Sequence, residues 1–333
     1  MNPSSVFSLR NKKDFEKKTL EIFRLQAKGN PVYKKYIEQL GIKAETVKSV
    51  SPLPFLPIEF FKTHEVVSQS SVIGHQSSVF LSSGTTSENR SKHHVSDISL
   101  YEKSFRKCFD IFYGDVSQYA ILALLPGYYE NRNSSLIYMM QDLIKRSKNK
   151  HSTFYNHKDE TLLQVLQTLL QKKQKVILFG VSFALLDFAE QFSLPNGEGR
   201  GGAFTVIETG GMKGRREEIT REELHKTLCE KFGVEKIHSE YGMTELLSQA
   251  YSNGDGIFKC PPWMKVFVRD VNDPFQILPH GKTGALNIID LANIYSCSFI
   301  ATQDVGRTNA NGSFEVLGRM DNSDLRGCNL LMA

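Results

Sequence analysis

The chain has 333 residues, enough to bury one large core or two ordinary ones. With 40% hydrophobic and 23% charged residues it has a globular balance, and no apolar run nears the roughly 20 residues of a membrane-crossing helix. The net charge of +5 is small, and the basic runs at 145–150 and 172–175 lack interleaved aromatics, which reads against a nucleic-acid partner.

In chain order, the first fourteen residues carry no apolar signal-peptide core. A helix is expected over 15–27, with Phe15, Thr19, Ile22, Phe23 and Gln26 on one stripe. Residues 51–57, holding three prolines, should be extended and packed. Ser96 or Asp97 should cap a helix carrying Tyr101, Phe105, Cys108, Phe109 and Phe112. Strands and helices then alternate: strands over 119–125, 175–179, 203–207 and 234–238, helices over 134–146, 161–171 and 183–192. Thr220-Arg221-Glu222-Glu223 reads as a capping box opening a helix that ends at Gly233. Alternation of this kind implies an α/β fold, a mainly parallel sheet with helices on both faces. After about residue 255 the chain becomes strand-rich, at 264–269, 285–290 and 313–317. Two parts are therefore expected, an α/β core over 1–255 and a smaller β-rich subdomain over 256–333.

The five cysteines, Cys108, Cys229, Cys260, Cys297 and Cys328, form no C-x-x-C pair, which reads against a zinc ribbon or a disulfide framework and points to a reducing, cytoplasmic setting. The histidines show no metal-ligand spacing. His93 and His94 are adjacent and should point to different sides of a strand or helix, and His94 and His238 read first as structural histidines.

Four loop motifs are expected beyond the carboxyl ends of strands, where α/β sheets bind ligands. The first is Ser82-Ser83-Gly84-Thr85-Thr86-Ser87, followed by Lys92. Its hydroxyls and backbone N–H groups can surround phosphate oxygens, with one lysine supplying charge. Alone it reads equally as a turn, and no Gly-Lys-Ser/Thr closes it as in a P-loop. The second is Glu208-Thr209-Gly210-Gly211-Met212-Lys213. The third is Tyr241-Gly242-Met243-Thr244-Glu245. The fourth is Thr302-Gln303-Asp304-Val305-Gly306, followed by Leu317-Gly318-Arg319-Met320-Asp321 and Asp324-Leu325-Arg326-Gly327.

In order and identity these motifs resemble the adenylate-forming superfamily of acyl-CoA synthetases, peptide-synthetase adenylation domains and luciferases. Within it the chain is most similar to the acyl-protein synthetases of the bacterial luminescence fatty-acid reductase. Further phrases carry that likeness: the run from Leu53 to Lys62, the stretch from Ser91 to Asp97, Glu208 to Arg215, and Asp324-Leu325-Arg326-Gly327-Cys328. The resemblance spans roughly residues 30–330 and implies the large-domain fold of that superfamily.

It also implies roles. Ser82, Ser83, Gly84, Thr85 and Thr86 would hold ATP phosphates beside Lys92, with Gly210 and Gly211 in the nucleotide site. Tyr241 would flank adenine, Gly242 would leave room, and Met243 and Thr244 would complete that segment, Thr244 touching phosphate. Glu245 would hold Mg²⁺, which prefers oxygen ligands. Asp304 would accept from the ribose hydroxyls, and Arg319 would contact ribose or phosphate at a hinge. Met139, Met140, Phe179, Phe183 and Met212 would line an acyl pocket.

The implied reaction joins a carboxylic acid, by this resemblance a fatty acid, to ATP as acyl-AMP. The acyl group then passes to a protein thiol and on to a partner reductase or carrier protein. Two departures stand out. Ser87 replaces the glycine usual after the two threonines, and the sequence stops just after the hinge motif, without the small domain that bears a catalytic lysine. Cys328, with Arg326 beside it to favour the thiolate, is the acyl-carrying candidate. Two alternatives stay open: a ligase with coenzyme A or a small amine as acceptor, and a non-catalytic nucleotide- or acyl-binding module.

Overall fold

The structure is a computed structural model that describes residues 2–68, 76–83, 90–127, 133–156, 160–191, 203–210 and 219–320. It divides into two compact units. One gathers the described residues of Met1–Ser104, Thr244–Ser248 and Lys259–Ala333, and the other those of Phe105–Met243 and Gln249–Phe258.

In the first unit, helix α1 (Lys12–Gly29) starts where Asn11 accepts the backbone N–H of Asp14, and it buries the expected stripe of Phe15, Thr19, Ile22, Phe23 and Gln26. Asn30 ends α1 and opens α2 (Pro31–Gln39), accepting the N–H groups of Val32 and Tyr33, with Pro31 at the first turn where its missing N–H costs nothing. The proline-rich passage is extended and packed as expected. Leu53, Phe55 and Leu56 are buried, and β1 (Leu56–Pro57) precedes the short helix α3 (Phe60–Thr63). The hairpin β2 (Ser78–Leu81) and β3 (Lys92–Val95) follows, pairing Leu81 with Lys92. Asp97 accepts the N–H of Ser99 at the start of α4 (Ile98–Tyr113).

The second unit carries the alternating pattern. Its elements are β4 (Tyr119–Leu124), α5 (Ser135–Ser147), β5 (Thr153–Phe154), α6 (Glu160–Gln171), β6 (Lys175–Val181), α7 (Ser182–Gln191), β7 (Phe204–Thr209), α8 (Arg221–Phe232), β8 (His238–Tyr241), β9 (Ala250–Ser252) and β10 (Ile257–Lys259). Strands run in the order β5-β4-β6-β7-β8-β9-β10, and the pairs from β5 through β8 are parallel. The apolar runs of β4 and β6 are buried almost throughout, as strands covered on both faces require. Helix α8 has both halves of the Thr220–Glu223 capping box and ends at Gly233, whose φ of +63° suits glycine.

The rest of the first unit is an antiparallel sheet of β11 (Met264–Arg269), β12 (Thr283–Asp290), β13 (Phe299–Thr308) and β14 (Phe314–Arg319), with β1 parallel to β13. Gln26 and Asn30 tie the first helices to it, donating to the carbonyls of Asn293, Ile294 and Ser296.

Two local expectations are corrected. The strand expected over 234–238 lies at His238–Tyr241 instead: Val234 and Ile237 are buried as core contacts, and ladder pairing begins only at His238 opposite Ile207. The segment from Thr302 to Gly306 is not a loop but the middle of β13. Its polar side chains hid the strand, because β13 there is only partly buried. Among the described residues no helix is long and apolar enough to cross a membrane.

Candidate active site

In the first unit, Ser82 closes the base of the first motif, where its hydroxyl accepts the N–H of Ser91 at 2.9 Å and its own N–H bonds the Ser91 carbonyl at 3.1 Å. Ser83 follows it, while Gly84, Thr85 and Thr86 lie outside the described residues. Lys92 begins β3 with an exposed side chain. His93 and His94 do point to opposite sides: His93 is fully buried, and His94 faces Glu65 at 3.2 Å.

Thr244 and Glu245 stand on a segment held from three directions. His93 Nδ1 lies 2.7 Å from the Thr244 carbonyl oxygen, and Nε2 lies 3.0 Å from Asn293 Oδ1. Asn293 Nδ2 donates to the Glu245 carbonyl at 2.7 Å and to the Cys297 carbonyl at 3.0 Å, which fixes the amide's orientation. Asp290 receives the N–H groups of Leu247 at 2.8 Å, Ser248 at 3.0 Å and Ala292 at 3.1 Å, plus the Ser248 hydroxyl at 2.7 Å. Buried backbone donors must find acceptors, and one carboxylate here serves three.

Glu245 is buried, and burial raises its carboxyl above the ordinary value. A hydrogen bond from Ser91 and the charge of Arg319 pull the other way, and the charge of Asp304 adds to the rise. Three residues distant in sequence thus share one electrostatic neighbourhood. Asp304 and Arg319 are cross-strand partners on β13 and β14, next to a register shift between Val305 and Gly306. Such bulges re-aim side chains locally. Gly306 is obligatory there, since a Cβ would sit 2.1 Å from the Glu315 carbonyl oxygen. Arg319 also donates to Gln303 at 3.2 Å. Two carboxylates and a serine hydroxyl are hard oxygen donors, the set that suits Mg²⁺.

In the second unit, the carboxyl ends of β6, β7 and β8 bring Ser182, Glu208, Thr209, Gly210 and Glu240 together. Ser182 donates to the Gly210 carbonyl at 3.0 Å. Thr209 donates to Glu240, its ladder partner. Glu208 is paired with Arg221 at 3.5 Å and His225 at 3.4 Å. Burial pushes the Glu240 carboxyl up to about 7, the Thr209 hydrogen bond opposes this, and nearby Glu208 adds to it. Tyr241 is buried, edge-on to Phe258 with ring centroids 5.8 Å apart, and Arg221 lies over the same Phe258 ring. Gly242 has a local reason to be glycine: a Cβ would come within 2.5 Å of Glu240 Oε1. Met243 is half-buried and ends this stretch of the unit.

Met139, Met140, Phe179 and Phe183 are all buried in the second unit. Cys108 is core, as its helix face implied, with its thiol 3.1 Å from the Gln249 carbonyl. Gly211, Met212 and Cys328 lie outside the described residues. His93, Asp290, Asn293 and Glu240 are the residues that sequence reading missed. Glu240 was in plain sight beside Tyr241, whereas the others act on Thr244–Ser248 from positions 42 to 200 residues away along the sequence or through one another. Among the described residues no group of three or more His, Cys, Asp or Glu side chains is placed to hold a metal ion.

The second unit thus presents glycine- and hydroxyl-bearing strand ends on a parallel sheet, and in the first unit a bulged antiparallel pair sets an acid opposite an arginine. Solved structures agree on the fold. A 2-hydroxyisobutyryl-CoA ligase in complex with 2-HIB-AMP and CoA superposes with a TM-score of 0.66 at 12% identity, covering 93% of this chain and 70% of that one. ATP-bound MatB from Rhodopseudomonas palustris gives 0.51 at 18% identity, over 72% of this chain and 47% of that one. The fold is the one these ligases share.

Within it, residues 3–333 match the family described as Acyl-protein synthetase, LuxE, and the chain belongs to that family. The long-chain-fatty-acid–luciferin-component ligase of Vibrio harveyi is 23% identical, across 100% of this chain and 91% of that protein. The chain is an ATP-dependent acyl-protein synthetase: it makes an acyl-adenylate and transfers the acyl group.

Proposed function

We propose that this chain activates a long-chain fatty carboxylate and passes it through Cys328 to a partner reductase or carrier protein. The carboxylate oxygen attacks the α-phosphorus of ATP, the bond to the β-phosphate bridge breaks, and pyrophosphate leaves. The Cys328 thiolate then attacks the acyl carbonyl, AMP leaves, and a thioester remains that a partner thiol can take up by exchange.

The observation that carries this reading is the neighbourhood of Glu245, Asp304 and Arg319 in the first unit, reached from the third and fourth sequence motifs. Two anions must meet in the first step, so the protein's work is positioning and charge neutralisation. Glu245, with Asp304 and the Ser91 hydroxyl near it, would hold Mg²⁺, which supplies positive charge to the phosphates when bound. Asp304 would accept the ribose hydroxyls, Arg319 and Lys92 would face phosphate, and Ser82 to Thr86 would hold phosphate oxygens. His93 and Asn293 are positioning residues, since they hold the backbone of Thr244 and Glu245 and leave the side chains to the reaction.

The test is carboxylate-dependent ATP–pyrophosphate exchange with Mg²⁺ across short, long and aromatic acids. Exchange confined to long-chain acids, and lowered about 100-fold or more in Glu245→Gln, is the expected result. Full-rate exchange in that variant removes the metal role from Glu245, and a preference for short or aromatic acids removes the fatty substrate.

A further inference from the structure

One groove of the first unit takes no part in the reaction above. Its floor is apolar: Phe15 and Leu20 of α1, Val50 and Phe55 of the segment that follows α2, Phe267 of β11 and Ile277. Its rim is basic, with Lys12, Lys13, Lys17, Lys48 and Lys265 around it and a single acid, Glu16, among them. The cavity measures about 480 Å³, within the roughly 300–1,000 Å³ of small-molecule sites. It shares no residue with the Glu245, Asp304 and Arg319 neighbourhood.

Three features indicate that the groove is organised for an anion attached to an apolar chain. Lys12 and Lys13 stand in the first turn of α1, where the helix dipole disfavours positive charge, so folding alone does not account for them. Lys12 has only a 3.8 Å pairing with Glu16, and both side chains of that pair are solvated. Lys265 is half-buried with its amine over the Phe267 ring at 5.1 Å, and burial together with Lys12 lowers its pKa. A neighbouring cavity of about 460 Å³ shares Lys12, Phe15 and Lys265 and adds Arg10 and His280, which extends the basic rim.

We propose that this groove binds one free long-chain alkyl anion, its chain on Phe15, Phe55 and Phe267 and its carboxylate among Lys12, Lys13 and Lys265. An apolar chain with a charged end meets both halves of the lining: the chain is taken out of water and the anion meets a rim of five lysines with one acid among them. A half-open groove of this size holds a single alkyl chain, whereas a protein segment would need a longer trough.

The experiment uses the full-length protein without ATP and a photo-crosslinking tetradecyl sulfate, which cannot be adenylated. Label should appear in the peptides carrying Lys12 to Leu20 and Lys265 to Ile277. Tetradecanoate should compete, and tetradecanol should compete at least tenfold more weakly. The triple variant Lys13→Glu/Lys17→Glu/Lys48→Glu should lose about tenfold or more in affinity, the sum expected of three exposed charge contacts inverted, and the corresponding triple glutamine variant should lose less. Pyrophosphate exchange at saturating acid should be unchanged in both, so a failure here leaves the reaction proposed above standing. Equal competition by the alcohol, label confined to other peptides, or unchanged affinity in the triple variants would overturn the site. So would binding to anionic vesicles or to an acidic peptide in place of the free amphiphile, which would reassign the groove to a membrane or a protein partner.

Discussion

Glu240→Gln is the most informative single change, because the structure predicts both the sign and the size of its effect. Glu240 is buried at the end of β8, bonded to Thr209, and its carboxyl is pushed from 4.5 up to about 7. Below pH 4.5 the carboxyl holds its proton in folded and unfolded chains alike. Between 4.5 and about 7 only the folded chain keeps it, so stability falls as pH rises, and above about 7 the loss is complete. The interval corresponds to about 3 kcal/mol. Glutamine keeps the shape and a partner for Thr209 but has no proton to lose. Parent and variant should therefore be close in stability at pH 5, and the variant should lead by about 2–3 kcal/mol at pH 8. Urea unfolding followed by far-ultraviolet circular dichroism measures the gap, and amide exchange of β7 and β8 localises it. His238, lowered to about 4 by burial and Lys236, drives stability the opposite way with pH, but it is present in both proteins and cancels in the difference. A gap of the same size at pH 5 and pH 8 would refute the argument.

Four further outcomes are expected. Asp290→Asn places an amide NH₂ against donors whichever way it turns, leaving about two of them without an acceptor, and should cost about 3 kcal/mol in denaturant unfolding along with most of the exchange activity. His93→Ala releases the Thr244 carbonyl and Asn293, and should lower the exchange rate at least tenfold while ATP still binds by calorimetry. Asp304→Asn should raise the KM for ATP roughly tenfold with a smaller effect on kcat, the mark of a lost ribose contact. Cys328→Ser should leave pyrophosphate exchange intact and abolish the hydroxylamine-sensitive acyl label on the protein, whereas a retained label would move the carrier to another residue.

Much of the fold was legible because it rests on local signals. The α1 stripe, the Thr220–Glu223 box and the Gly233 stop each act within one or two turns of helix, and each stands where its residues suggest. The apolar β4 and β6 runs are equally local. Pairings that cross the chain were not legible. Leu56 and Pro57 give no sign that they will lie along Ile300 and Ala301, and Thr302 to Gly306 reads as a polar turn until β14 supplies its ladder. In the candidate site, the residues proposed to carry charge to the substrate announced themselves by motif. Those that hold them still did not, because a buried Asp or His has no sequence mark apart from the partners that satisfy it. Tyr241 shows the difference: its place in the motif was evident, but its packing on Phe258 follows from a strand that ends three residues later than expected, and from β10 beyond it.

The Asp290 cradle also sets an order of assembly. The segment Thr244–Ser248 leaves the ribosome some forty residues before the carboxylate that accepts its backbone, and about 150 residues after the histidine that meets Thr244. While the chain is being made, the most functionally charged loop of the protein is waiting, its amides open to water, until β12 has been synthesised and folded. A nascent chain halted before residue 290 would carry the first three motifs in its sequence but neither Asp304 nor Arg319, and would have nothing to hold Glu245 in place, so competence for adenylation arrives late and all at once.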